Sequence, residues 1–177
     1  MRALIASIES EYRRYQRTGD GVLSQLDPDQ LRAQPSVESN SVATLVWHIA
    51  GNLESRFTDF LTTDGEKPWR DRDDEFSVRE ASPDEVRAKW ERGWAILLTA
   101  LAELDDDSLQ RPVTIRGVGV TVAEALHRSL AHTASHVGQM AYVGKLLRGP
   151  DWEYLTIPPG GSTAYNRSPT MEQVPDA

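Results

Sequence analysis

Four stretches of the chain carry apolar residues at intervals of three and four, which places those residues along one face of an α-helix. The stretches cover about residues 3–18, 41–62, 82–104 and 122–147. Capping boxes begin the last two, Ser82 with Glu85 and Thr121 with Glu124. Gly19 is expected to end the first. The pattern predicts an all-α fold, an antiparallel four-helix bundle.

The predicted connections are unusually long for such a bundle. Residues 63–82 form a charged loop, and residues 111–120 fit either a short hairpin or an extended linker. Connections of this length often carry function or cover an opening. The proline-rich tail is expected to be extended and not helical, with residues 151–166 packed on the bundle. We therefore expect one domain over residues 1–166 and a loose tail over 167–177.

Composition excludes several classes of function. The 177 residues include no cysteine, which removes cysteine nucleophiles and iron–sulfur clusters. Lys and Arg total 19 against 27 Asp and Glu, a net charge of −8 that disfavours nucleic-acid binding. No apolar run is long enough to span a bilayer. The start of the chain faintly resembles a secretory signal, but its apolar run is too short for one and charged residues follow at once. We expect a cytoplasmic protein that does not bind membranes.

Three of the four histidines form a candidate metal site. His132 and His136 stand four residues apart on the fourth predicted helix, so both imidazoles project from one face. His48 supplies a third nitrogen if the second and fourth helices are neighbours. Three His plus water leave an open coordination position, as in catalytic zinc sites. A core histidine at His48 and a metal-free pair on the fourth helix are the alternative reading.

Two segments of sequence resemble the DinB/YfiT-like superfamily. These segments are 45–52 (LVWHIAGN) and 132–139 (HTASHVGQ). The loop 70–76 and the tail 152–158 resemble one branch known only as a domain of unknown function. The resemblance implies a four-helix bundle with a site of His48, His132 and His136, zinc or nickel as the ion, and often a homodimer. Characterised relatives include transferases and isomerases that use low-molecular-weight thiols such as bacillithiol or mycothiol.

Three functions follow from such a site. A divalent ion lowers the pKa of bound water or of a bound thiol, which gives a hydrolase or a thiol S-transferase acting on small electrophiles. The transferase is our first choice. The third possibility is a non-catalytic, stress-associated protein that binds metal or ligand. A storage site should offer a further carboxylate near His132, and none stands at helical spacing. No catalytic residue is assigned.

Five further residues are candidates for contact with a small-molecule substrate. Asn52 stands one helical turn after His48, and Gln139 follows His136 by three residues. Arg70 and Arg72 are placed to bind an anionic group at the mouth of the bundle, although a solvated, self-paired loop is the alternative. Trp152 is a candidate to cover the pocket. The alternative is that Trp152 only packs the tail against the core.

Overall fold

The protein is mostly helical, with one small sheet. A computed structural model describes residues 1–170. The helices of this part are α1 (Ala3–Leu23), α2 (Pro28–Arg32), α3 (Val42–Phe57), α4 (Pro83–Ala102), α5 (Val122–Arg148) and α6 (Ser162–Tyr165). Strands β1 (Pro112–Ile115) and β2 (Val118–Thr121) pair antiparallel. The predicted loose tail lies largely outside the described residues.

Four long helices share one apolar core. Helix α3 packs against α4 and α5, and α1 packs against α5 and α4. The largest buried side chains include Tyr12, Trp90 and Trp94, whose rings meet edge to face. Both predicted capping boxes are present, at Ser82 with Glu85 and at Thr121 with Glu124. No helix within residues 1–170 combines the length and apolarity needed to cross a membrane.

Two predicted helix ends were wrong. Helix α1 continues through Gly19 to Leu23. Gly19 is buried against Trp90, where an added Cβ would lie 2.3 Å from the ring. This glycine is therefore required for helix packing and does not end the helix. Helix α3 ends at Phe57, and not near residue 62, with Asp59 in the left-handed region at a φ of 48°.

The tail departs from the prediction in one respect. Trp152 and Leu155 pack against the core, as expected for a docked tail. Residues 162–165, however, form the short helix α6 where an extended segment was predicted. The connection between α1 and α3 likewise contains a short helix, α2, which begins with a capping box of Asp27 and Gln30.

Residues 111–120 contain a short β-hairpin, the first of the two structures predicted for this segment. Arg116 and Gly117 form its two-residue turn with φ values of 55° and 74°, the positive values that a type I′ turn requires. The hairpin is hydrogen-bonded to the loop that follows α3. The Asp64 carboxylate accepts the backbone N–H groups of Arg116 at 2.9 Å and Gly117 at 2.8 Å, and the Gly65 N–H donates to Thr114 O at 2.7 Å.

The close approach of α3 and α4 generates a stability prediction. A Cβ added at Gly93 would lie 2.7 Å from Ala50 Cα, so Gly93→Ala should separate the helices and lower the free energy of unfolding by about 1–3 kcal/mol. Gly138→Ala on α5 is the matched control, because no atom lies within 4 Å of its added Cβ. It should raise stability by about 0.5–1 kcal/mol. Urea unfolding that gives both variants the same stability would contradict this packing.

Candidate metal centre

The three predicted histidines come together between α3 and α5. His48 on α3 is 3% exposed, and His132 and His136 stand one turn apart on α5, half-buried. One ring nitrogen from each lies within 4.8 Å of the others. The His48 and His132 Nε2 atoms are 3.0 Å apart. The cluster therefore combines nitrogens from two helices at a single point.

The position of α5 follows from its core face. Thr133, Val137 and Met140 on this helix are buried, and His132 and His136 lie at the edge of that face. His48 follows the buried residues Leu45 and Val46 on α3. Because α3 and α5 are in contact and both contribute buried residues to one core, the imidazoles beside these residues come together.

A buried carboxylate fixes the His48 ring. Glu75 Oε2 lies 2.9 Å from His48 Nδ1, and the Arg70 guanidinium donates to both Glu75 oxygens, at 2.7 Å and 2.9 Å. Glu75 is 5% exposed. Burial raises the pKa of Glu75, but the hydrogen bonds from His48 and Arg70 and the charge of Arg70 outweigh burial and leave the pKa below its usual value. The ionised Glu75 therefore accepts the His48 Nδ1–H.

Gly51 makes this arrangement possible. It stands on α3 three residues after His48, and an added Cβ would lie 2.3 Å from Glu75 Oε1. Any larger residue would occupy the space that the carboxylate fills. Since Nδ1 of His48 donates to Glu75, the lone pair of a neutral His48 ring is on Nε2, which faces His132. A carboxylate that orients an imidazole in this way is common behind metal-ligating histidines.

Burial and neighbouring positive charge favour the neutral form of His132 and His136. Burial, followed by the charges of His136 and His48, lowers the pKa of His132 to about 3. Burial and the charge of His48 also lower the pKa of His136, although its Nδ1 contacts Gln139 Oε1 at 3.2 Å. Only a neutral imidazole offers a lone pair to a metal.

The donor set fits a divalent ion. The buried Nδ1 of His132 has no hydrogen-bond partner within residues 1–170, and its Nε2 faces another imidazole nitrogen. Two nitrogens on one tetrahedral zinc are separated by roughly 3.3 Å, given bonds of about 2.0–2.1 Å. The observed 3.0 Å between the His48 and His132 nitrogens is close to that value. His48, His132 and His136 are therefore suited to hold such an ion.

A cavity of about 310 Å³ opens onto the cluster. Its volume suits a small molecule. The predicted residues Asn52, Arg70 and Arg72 line it. Gln139 contacts His136 but does not line this cavity, and Trp152 packs against Gly144 and borders a different groove. The structure thus brings three of the five predicted contact residues to the cavity.

Sequence reasoning missed several residues of the site. Glu75 belongs to the charged loop, for which the sequence indicates exposure, whereas its side chain is buried against His48. Arg56, Arg116 and Arg128 also line the cavity. Only Arg128 had a signal in the sequence, since it stands four residues before His132 on the same helix face.

Comparison with known protein families identifies the family of this chain. Residues 2–161 match a family described as "Protein of unknown function (DUF1572)". The chain belongs to this family. The match spans all four long helices and both long connections, so it includes every residue of the histidine cluster. No curated protein matches the chain.

The lowered pKa of His132 generates a prediction about how the stability of the protein depends on pH. Its pKa is about 3 in the folded protein and near 6.5 when unfolded, so below pH 6.5 the unfolded chain binds the additional proton. The metal-free protein should therefore lose stability as pH falls from about 6.5 towards 3. His132→Asn should flatten this slope between pH 7 and 5. His127→Asn is the matched control, because His127 is exposed and outside the cluster. Equal slopes in thermal melts of wild type and His132→Asn would contradict the assignment.

Proposed function

We propose that this protein is a divalent-metal-dependent enzyme that joins a small thiol to an electrophile, with His48, His132 and His136 as the metal ligands. The observation that carries the proposal is the convergence of three imidazole nitrogens, all within 4.8 Å, at the wall of a cavity. Zinc or nickel is the ion that the resemblance favours. A homodimer and a cytoplasmic location stay predictions.

The arrangement of the long helices supports an antiparallel four-helix bundle of the DinB type. Each of the four packs against two others, in the cycle α1, α4, α3, α5 and back to α1. The histidines come from the second and fourth long helices, as the resemblance requires. The sequence segments at 45–52 and 132–139 that carry the resemblance are the segments that meet in the cluster.

The composition of the site favours enzymatic use over storage. Within residues 1–170, the cluster contains three imidazole nitrogen donors and no carboxylate ligand. Three protein ligands leave a coordination position for a reactant, whereas closed sites use four.

The lining of the cavity favours a thiol over water as the nucleophile. When bound, a divalent ion lowers the pKa of a coordinated thiol or water. Neither Asp nor Glu stands among the described lining residues, and Glu75 is engaged by His48 and Arg70. The part of the chain that the structure describes thus offers no carboxylate base at the cavity. A thiol, with a pKa near 8.5, needs far less help to lose its proton than water does.

The protein's own residues have two roles in this proposal. Glu75 and Arg70 keep His48 oriented, with its Nε2 lone pair towards the other histidines. The cationic lining stabilises negative charge on a nucleophile. Since the chain contains no cysteine, the sulfur has to arrive with the substrate.

Metal content tests the ligand set. Purified wild type should carry about one divalent ion per chain by elemental analysis, and His132→Ala should lose it. His127→Ala is the matched control and should keep the ion. Chelation should leave the protein folded by circular dichroism, because the helices share an apolar core that does not depend on the site. Equal metal in wild type and His132→Ala would overturn the proposed site.

Thiol transfer tests the reaction. With bromobimane as the electrophile, the thiol sulfur forms a C–S bond, bromide leaves and the thiol proton passes to solvent. Zinc- or nickel-loaded protein should accelerate this conjugation with at least one of bacillithiol, mycothiol, cysteine and glutathione, and His132→Ala should fall to the uncatalysed rate. His127→Ala should keep the wild-type rate. Metal-dependent ester hydrolysis without any thiol would instead establish a hydrolase.

A further inference from the structure

The cavity beside the histidines is strongly cationic in an acidic protein. Five arginines line it in a chain whose net charge is −8. They are Arg56, Arg70, Arg72, Arg116 and Arg128. Such a concentration of one charge in a concave site attracts ligands of the opposite charge.

Three of these arginines are paired with two carboxylates behind the wall. The Glu66 carboxylate accepts from Arg56 at 3.0 Å and from Arg116 at 2.9 Å. Arg70 is paired with Glu75. The five lining arginines outnumber the two carboxylates that pair with their side chains, so positive charge is in excess at this wall. The wall is therefore not a self-neutralised network.

The other two arginines have no carboxylate partner in the part of the chain that the structure describes. Arg128 stands on α5, one turn before His132. The Arg72 guanidinium lies 5.1 Å from the centre of the Phe76 ring, and that ring lies 4.5 Å from the His48 ring. Arg128 therefore lies on the helix that carries His132 and His136, and Arg72 contacts the ring that packs on His48.

Arg70 adds a fixed positive charge at the wall of the cavity. Its side chain is 2% exposed, and its Nε and Nη2 donate to Glu75. The third nitrogen, Nη1, is buried without a hydrogen-bond partner among residues 1–170 and lies 3.8 Å from Glu66 Oε2, which makes an ion pair. Arg70 therefore contributes to the positive potential of the wall, while Arg72 and Arg128 remain for a ligand.

We infer that the small molecule bound in this cavity carries an oxyanion, a carboxylate or phosphate group, held by Arg72 and Arg128 with Arg70 at the wall. Guanidinium groups bind both kinds of oxyanion through paired, charge-assisted hydrogen bonds. The volume of about 310 Å³ limits the ligand to a small metabolite-sized molecule. Its role as substrate rests on the proposed function, whereas its binding does not.

Calorimetric titration of the metal-free full-length protein tests the inference. The probes are succinate and inorganic phosphate, with succinamide as the neutral counterpart of succinate. At least one anion should bind wild type, more weakly as salt is added, and succinamide should not. R72Q/R128Q should weaken the anion about tenfold or more, the loss expected when charged hydrogen bonds are removed.

R17Q/R87Q is the matched control. It removes the same charge from exposed positions that do not line the cavity, and it should bind anions as wild type does. Arg72 and Arg128 are also exposed, so both double variants should fold, as checked by circular dichroism. Unchanged anion affinity in R72Q/R128Q, equal binding of succinamide and succinate, or no anion binding to wild type would each overturn the inference.

Zinc measurements separate this inference from the proposed function. R72Q/R128Q should keep the zinc content of wild type, because neither arginine belongs to the histidine cluster. Anion binding through these arginines in a protein that holds no metal would refute the proposed function and support the inference. Zinc bound by the histidines without any anion binding would refute the inference and leave the proposed metal site supported.

Discussion

The site depends on one buried ion pair, that of Glu75 with Arg70. Removing a carboxylate from water is expensive unless hydrogen bonds and an opposite charge compensate it. Glu75 receives both, from the Arg70 guanidinium and from His48 Nδ1. The pair fixes the tautomer of His48 and thereby directs its free lone pair towards α5. Gly51 is part of the same arrangement, since only a residue without a side chain leaves room for the carboxylate.

Much of the fold and the histidine set could be predicted because both depend on helical periodicity. Ser82 and Thr121 begin their helices as capping boxes require, and His132 and His136 share a face because they are four residues apart. The end of α1 could not be predicted in this way. Gly19 usually signals a helix end, but here its lack of a side chain admits the Trp90 ring, a contact between distant parts of the chain.

Glu75 shows where local reasoning stops. It stands among acidic neighbours in a charged loop, where exposure is the ordinary expectation. Its burial results from Arg70, from His48 on another element and from the space at Gly51, and no spacing rule connects these positions. Arg128 differs, because the same four-residue interval that joins His132 to His136 also joins Arg128 to His132. The clustering of cations at the cavity was concealed by the acidic composition of the whole chain.

The hydrogen bonds between the hairpin and the loop after α3 have a consequence for the shape of the cavity. Asp64 and Gly65 join the tip of the hairpin to that loop, and Arg116 and Arg70 reach the cavity from these two connections. The histidines, in contrast, are anchored in long helices whose positions are set by the apolar core. A change in the length or sequence of either connection therefore alters the lining of the cavity through both, whereas the backbone positions of the three histidines are set by the core.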